Sequence, residues 1–201
     1  MLRIYCADVS ALDPDGEYTL SEYRRARLAS VRQDAARRSG IGAELLLNHA
    51  VRSWRGDFPL PLDIAALEHG KPALRGGEAF ISLSHSGTYA AAAVCDEEIG
   101  LDIQRNMPLN SALARRFFAP DEQEHIARAE DGALAFTEIW CRKESYIKAL
   151  GTGLATPLAS FSVIGMPDIW HCALGGYQLA VCVLGRTDIA PDVIEKIELP
   201  C

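Results

Sequence analysis

Two carboxylates and a lysine stand out by residue type and spacing. Residues 140–148 read "WCRKESYIK", inside the window "ALAFTEIWCRKESYIKAL", which has no Pro and no internal Gly. Gly151 follows as a helix stop. Phe136, Ile139, Trp140, Ile147 and Leu150 recur at helical spacing. Glu144 and Lys148 then share one edge of that apolar arc, while Lys143 falls near its centre, to snorkel or to reach a neighbouring lobe. One reading is a solvent-facing i,i+4 ion pair, which stabilises by about 0.2–0.5 kcal/mol. The other is an acid and a cation lining a cleft.

A second acid bears on that choice. In "IGLDIQ" the strand period puts Ile99, Leu101 and Ile103 on one face and Gly100, Asp102 and Gln104 on the other. Asp102 and Gln104 stand ~6–7 Å apart along the strand, and Gly100 leaves room beside them. An acid in an apolar strand is costly unless paired or metal-bound. A strand Asp and a helix Glu together suit Mg²⁺ on a phosphate ligand, because Mg²⁺ takes few protein oxygens, some waters and the substrate's phosphates. A strand-end Asp that caps a turn is the alternative.

"SLSHSG" adds Ser84, His85 and Ser86 leading into Gly87, read as a loop offering donors to an anion. Adjacent residues on an extended chain point to opposite sides, and no Gly-x-Ser-x-Gly elbow surrounds either serine, which argues against a hydrolase. "GKP" sets Lys71 before a rigid proline, at a nucleotide contact or a surface turn.

The 201 residues suffice for one sizeable core or two small ones. The net charge of −7 argues against a general nucleic-acid binder. Yet Arg24, Arg25, Arg27, Arg32, Arg37 and Arg38 crowd one early segment. A basic cluster on an acidic chain points to a defined anionic ligand, with a solvated helix face as the alternative. The six cysteines show no metal spacing, and Cys95 and Cys182 end apolar runs as core residues do. No leader opens the chain and no apolar run reaches ~18 residues. The expectation is a cytoplasmic protein with free thiols and no membrane segment.

"LRIYCADV" reads as a first strand, residues 20–38 as a basic helix, and "GIGAELLLNHAVRSW" as a second helix. Gly40 and Gly42 at its start mark a close approach of backbone to another chain or a phosphate. "AFISLSHSGTYAAAAVC" and "IGLDIQ" read as strands around the turn "DEE". "ARRFFAPDEQEHIARA" opens a helical region, with Pro120, Asp121 and Glu122 as its first turn. "FSVIGM", "IWHCALGG" and "YQLAVCVLG" read as strands. Residues 89–95, "YAAAAVC", echo residues 177–182, "YQLAVC". Two similar α+β halves meeting near residue 105 explain the echo; chance likeness of two Ala/Val strands is the alternative. The division expected is 1–105 and 106–201, with a ligand cleft between.

In order and spacing, "GKP", "FISLSHSG", "IGLDIQ", "ARRFFAPDE" and "WCRKESYIKALGTGL" resemble a 4'-phosphopantetheinyl transferase of the two-lobed, surfactin-synthetase-activating type. The resemblance covers residues 24–163 and rests most on the G-[IVL]-D strand followed by a W-x-x-K-E-[SA]-x-x-K helix. It implies an α+β fold of two similar lobes related by pseudo-two-fold symmetry, with coenzyme A between them. It implies Mg²⁺-dependent transfer of the 4'-phosphopantetheine arm to a serine of an acyl or peptidyl carrier protein, releasing adenosine 3',5'-bisphosphate. A chain that builds its own cleft is expected to be monomeric.

By the same resemblance Asp102 and Glu144 are magnesium ligands, with Gln104 where many members carry a second acid. Glu144, or a magnesium-bound water oriented by it, is the candidate base, and Lys148 is the catalytic lysine near the diphosphate. Ser84 and His85 contact the coenzyme A phosphates, and Lys71 lies beside the adenine. Arg38 and Ser39 in "RRSGIGAE" meet the 3'-phosphate end, with Arg24 and Arg27 as further partners. Residues 106–119, including Phe117 and Phe118, form the carrier surface, where Arg115 and Arg116 meet acidic groups. A non-catalytic carrier-binding or coenzyme A binding homologue, and a magnesium-dependent phosphohydrolase, are the competing readings.

Overall fold

The computed structural model describes residues 1–187 and 189–199. Cys201 lies outside them; Cys6, Cys95, Cys141, Cys172 and Cys182 are all free thiols. The chain opens with β1 (Leu2–Asp8), α1 (Glu22–Leu28) and α2 (Asp34–Trp54). Two short strands follow, β2 (Ile64–Ala66) and β3 (Pro72–Leu74), and then β4 (Phe80–Ser86), β5 (Tyr89–Cys95) and β6 (Ile99–Arg105). Next come α3 (Ser111–Phe117), α4 (Pro120–Arg128) and α5 (Gly132–Leu150). The chain ends in β7 (Ile169–Leu174), β8 (Tyr177–Val183) and β9 (Val193–Lys196).

One sheet has the order β4-β5-β1-β9 and another β6-β8-β7, while β2 and β3 pair apart. The chain uses one connectivity twice. β1, the long helix α2, β4 and β5 build a sheet with β5 central and antiparallel to both neighbours. β6, α5, β7 and β8 do the same around β8. The echo between residues 89–95 and 177–182 thus falls on the two central strands. Tyr89 and Tyr177, the first residue of each, pack with ring centroids 4.7 Å apart and planes tilted by 40°.

Strand alternation explains the layering. Ala90, Ala92 and Val94 of β5 face α2, with Leu46, Leu47 and Val51, whereas Ala91, Ala93 and Cys95 face the other way. That second face meets Ile99, Leu101 and Ile103 of β6 and Leu179, Val181 and Val183 of β8. A third cluster joins Phe136 and Ile139 of α5 to Phe118, Ile126 and Cys182. The order is helix, sheet, sheet, helix.

The structure differs from the sequence expectation at several places. Sheet membership changes at residues 96–98 rather than at 105: β6 pairs with β8, and β9 returns to pair with β1. The basic helix breaks at residues 29–33, so α1 folds back on α2, and residues 34–39 join the second helix. The glycines fit this fold-back. A Cβ on Gly40 would meet Leu28 Cδ2 at 2.9 Å, and one on Gly42 would meet Val9 Cγ1 at 2.2 Å. Residues 161–166 are not a strand. The Phe161 carbonyl and Val163 amide bond instead to Lys143 and Glu122. Ser84, His85 and Ser86 lie on β4 itself, with the turn confined to Gly87 and Thr88.

Gly100 fixes how α5 lies on β6. A Cβ there would sit 2.0 Å from the Ser145 carbonyl oxygen and 2.2 Å from the Ala149 amide nitrogen. Both obstacles are backbone, so neither can rotate away. Gly100→Ala is expected to destabilise the fold by about 1–3 kcal/mol or more, seen as a lower urea midpoint. An unchanged midpoint would mean that the helix and strand do not touch at this point.

Candidate active site

The close crossing at Gly100 brings the next residue on that strand face, Asp102, against the helix edge carrying Glu144 and Lys148. Asp102 is 6% exposed. Its Oδ1 accepts from Lys148 Nζ and from Ser84 Oγ, each at 2.7 Å. Lys148 Nζ also donates to Ser84 Oγ at 2.9 Å. Asp102 Oδ2 is buried and makes no hydrogen bond. An unpaired buried carboxylate oxygen costs free energy and calls for a cation or a donor.

Ser84 reaches Asp102 because of a serine stripe on β4. Ser82, Ser84 and Ser86 share one face at period two. Ser82 Oγ accepts from the Leu101 amide at 2.8 Å, and Ser86 Oγ from the Arg105 amide at 3.1 Å. β4 and β6 are edge strands of different sheets. The serine hydroxyls take the place of backbone ladder bonds there and fix β6, and with it Asp102, against β4.

A cavity of about 450 Å³ opens over these groups, lined by Asp102, Glu144, Lys148, Ser84, His85 and Arg24. Among the described residues Glu144 has no hydrogen-bond or ion-pair partner. Desolvation raises its pKa above the ordinary glutamate value, the negative charge of Asp102 raises it further, and Lys148 opposes both. His85 shifts the other way: desolvation by the cavity walls and the positive charges of Lys148 and Arg24 lower its pKa. Asp102 opposes the shift. His85 therefore stays mostly neutral at pH 7 and can offer or accept one hydrogen bond.

The other site residues expected from sequence divide into those on the cavity and those away from it. Arg24 and Arg27 line it, Arg27 over the Tyr23 ring at 5.5 Å. Lys71 lines it too, but its ammonium is held by Glu98 at 2.6 Å and by the Ala149 carbonyl at 2.8 Å. There it caps the last turn of α5, which favours a cation. Arg38 and Ser39 are not on the cavity. Helix α2 starts early enough to carry them inside it, where Arg38 Nε donates to the Leu12 carbonyl and Ser39 Oγ to the Ala35 carbonyl. Gln104 is not on the cavity either. Its amide donates to the Arg105 carbonyl at 3.3 Å, and it borders a different hollow.

That second hollow, about 640 Å³, lies between Met107, Leu109, Leu113, Phe136 and Trp140. Thr137 Oγ1 holds its lip by accepting from the Met107 amide at 3.0 Å. Phe118 is a core residue at 1% exposure, whereas Phe117 is half-buried and edge-on to Trp140. Arg115 and Arg116 are exposed.

Sequence reasoning missed Tyr23 and His69, which also line the cavity. Tyr23 carries no periodic signal, and His69 adopts φ 62°, a strain that residue type does not reveal. It also missed the serine stripe, for which the Ser-x-Ser-x-Ser spacing was the available signal.

The cavity can hold a polyanion between Arg24, His85 and Lys148, with a cation on Asp102 Oδ2 and Glu144. No cluster of three metal-ligating side chains exists among the described residues. Two carboxylates with open oxygens still suit Mg²⁺, whose remaining positions go to water and phosphate.

Comparison with known proteins bears on this geometry. A family model described as the 4'-phosphopantetheinyl transferase superfamily matches residues 98–173. The chain is 35% identical to 4'-phosphopantetheinyl transferase psf-1 of Bacillus pumilus, over 73% of this chain and 71% of that protein. It is 31% identical to 4'-phosphopantetheinyl transferase Sfp of Bacillus subtilis strain 168, over 80% of each. With 4'-phosphopantetheinyl transferase AcpT of Salmonella typhimurium the identity is 32%, over 85% of this chain and 89% of that one.

Proposed function

The chain belongs to the 4'-phosphopantetheinyl transferase superfamily and is an enzyme of that class, and from that premise we propose that it transfers the 4'-phosphopantetheine arm of coenzyme A to a serine hydroxyl of an apo acyl or peptidyl carrier protein. The observation that carries this reading is the meeting of Asp102, Glu144 and Lys148 in one cavity with Arg24 and His85. A diphosphate and a 3'-phosphate need several cations and donors in one place, and this cavity supplies them.

The serine oxygen forms a bond to the pantetheine-side phosphorus of the diphosphate. The bond from that phosphorus to the bridging oxygen breaks, and adenosine 3',5'-bisphosphate leaves with the electron pair. Glu144 accepts the serine proton, as a positioned carboxylate beside the hydroxyl can. Lys148 is aimed by Asp102 and Ser84, and its charge balances the negative charge growing on the leaving phosphate. Asp102 Oδ2 and Glu144 would hold Mg²⁺, which when bound draws charge from the diphosphate. Arg24, Arg27 and His85 bind the remaining phosphate oxygens. Arg38, Ser39, Lys71 and Gln104 make no first contact with these atoms in this reading.

The carrier docks over the apolar hollow at Trp140 and Leu113, with the exposed Arg115 and Arg116 of the same helix as Leu113 meeting its acidic groups. The repeated connectivity and the packed rings of Tyr89 and Tyr177 support two lobes related by a pseudo-two-fold axis, divided at residues 96–98. We read the protein as a cytoplasmic monomer. Its free thiols suit a reducing compartment, and among the described residues no helix is long and apolar enough to cross a membrane.

The test is mass spectrometry of an apo-carrier protein incubated with the enzyme, coenzyme A and Mg²⁺. A gain of one phosphopantetheine mass on the carrier serine is expected. Binding of coenzyme A and carrier without any gain would make the protein a non-catalytic homologue. Lys148→Ala is expected to lower kcat by about 10²-fold, as loss of one charge-stabilising donor does, with a smaller effect on coenzyme A binding. An effect confined to binding would reassign Lys148 to holding the ligand.

A further inference from the structure

None of the steps above uses the carboxylate that lies behind the cavity's buried arginine. Glu44, on α2, has no exposed surface. Its Oε1 accepts from the Ser21 amide at 2.9 Å, and its Oε2 lies 3.5 Å from Arg24 Nε. Both Glu44 Oε2 and Arg24 Nε are buried without a hydrogen bond. Ser21 in turn caps α1, its Oγ accepting from the Arg24 amide at 3.1 Å. One carboxylate therefore addresses the start of α1 and the guanidinium that α1 carries. The Arg24 side chain is 10% exposed, and it faces the cavity.

An acid at this place is costly twice over. It is fully desolvated, and it lowers the positive potential offered to an anion. What it supplies is geometry. A free arginine side chain samples many rotamers and loses that freedom on binding. An arginine whose Nε edge faces a fixed carboxylate keeps its two terminal nitrogens for a ligand, in the fork that matches a phosphate.

We propose that Glu44 is a positioning residue: it holds Arg24 by the Nε edge, and α1 by the amide of its N-cap residue Ser21, so that the guanidinium fork faces the ligand's phosphate before the ligand arrives. The proposal rests on the cavity being the coenzyme A site. It differs in sign from a purely electrostatic role. Neutralising an acid beside an anion site tightens anion binding if charge dominates, and loosens it if position dominates.

Titration calorimetry with coenzyme A, and separately with adenosine 3',5'-bisphosphate, distinguishes the two. The proteins are the wild type, Glu44→Gln, Arg24→Ala and the double variant. Glutamine keeps an oxygen for the Ser21 amide and removes the charge that faces Arg24. The expected result is about a tenfold weaker Kd for Glu44→Gln, a change of about 1.4 kcal/mol. Little further loss is expected in the Arg24→Ala background, and in turnover assays the loss falls on KM more than on kcat. Wild-type or tighter binding by Glu44→Gln overturns the proposal, as does an equal loss with and without Arg24. If Glu44→Gln does not fold, Glu44→Asp keeps the charge but withdraws it by one methylene. It is expected to weaken binding similarly, and unchanged affinity there also overturns the proposal. Failure of the wild type to bind coenzyme A at all overturns the function itself; binding by the wild type with an indifferent Glu44 overturns the positioning role alone.

Discussion

Glu144→Gln is expected to lower the rate of arm transfer by about 10²–10⁴-fold, the range for loss of a positioned general base. The amide keeps the shape of the carboxyl but cannot take the serine proton and brings no charge toward a cation. The fold should survive, because Glu144 has no partner among the described residues and its loss leaves no group unpaired. The pH profile adds a second reading. Desolvation, and after it Asp102, raises the Glu144 pKa above its ordinary value. The base is active only when ionised, so transfer falls as pH drops through its pKa, and Mg²⁺ bound at Asp102 and Glu144 would move that acidic limb to lower pH. The residual activity of the glutamine variant should lack this acidic limb. Near-normal turnover with an unchanged profile would remove Glu144 from the chemistry.

The largest stability effect is expected one residue earlier. Lys143 is 1% exposed, and its Nζ donates to Glu122 Oε1 at 2.8 Å, to Glu122 Oε2 at 2.7 Å and to the Phe161 carbonyl at 2.6 Å. Glu122 also accepts from the Ala119 and Val163 amides, each at 2.8 Å. One buried pair thus ties α4 and residues 161–163 to α5. Desolvation lowers the Lys143 pKa, and Glu122 opposes that shift. Lys143→Met leaves Glu122 as an uncompensated buried charge and should cost about 3–5 kcal/mol, measured by urea denaturation. Adding Glu122→Gln should recover part of that loss, because the lone charge is gone. No recovery would mean that packing around the lysine stem, rather than the ion pair, sets the cost.

These neighbours, Lys143 and Glu144, show what the sequence made legible. The helical wheel placed Glu144 and Lys148 on an edge and Lys143 at the centre, and the structure has them so. The period-two pattern of β6 separated Asp102 from the core-facing Leu101 and Ile103, and Gly100 marked the close crossing of α5. Each was readable because an element's period alone decides which residues share a face. Partners set by tertiary contact were not readable. Lys143 pairs with Glu122 across twenty-one positions, Arg24 with Glu44 across twenty, and Ser84 with Asp102 across eighteen. The break before α2 was missed for the same reason. Leu28 packing on Gly40 folds the chain there, and α2 then carries Arg38 and Ser39, which bond to the Leu12 and Ala35 carbonyls. Gln104 kept its expected strand face but lies past the end of the cavity. Strands β2, β3 and β9 are three or four residues long, too short for a period to show.

A crystal structure of the protein with coenzyme A and Mg²⁺ bears most directly on the site. The expected result is one metal ion about 2.0–2.1 Å from an oxygen of Asp102 and one of Glu144, with the diphosphate completing its shell and Lys148 beside it. A coenzyme A molecule bound away from this cavity, or a metal ion that touches neither carboxylate, would contradict it.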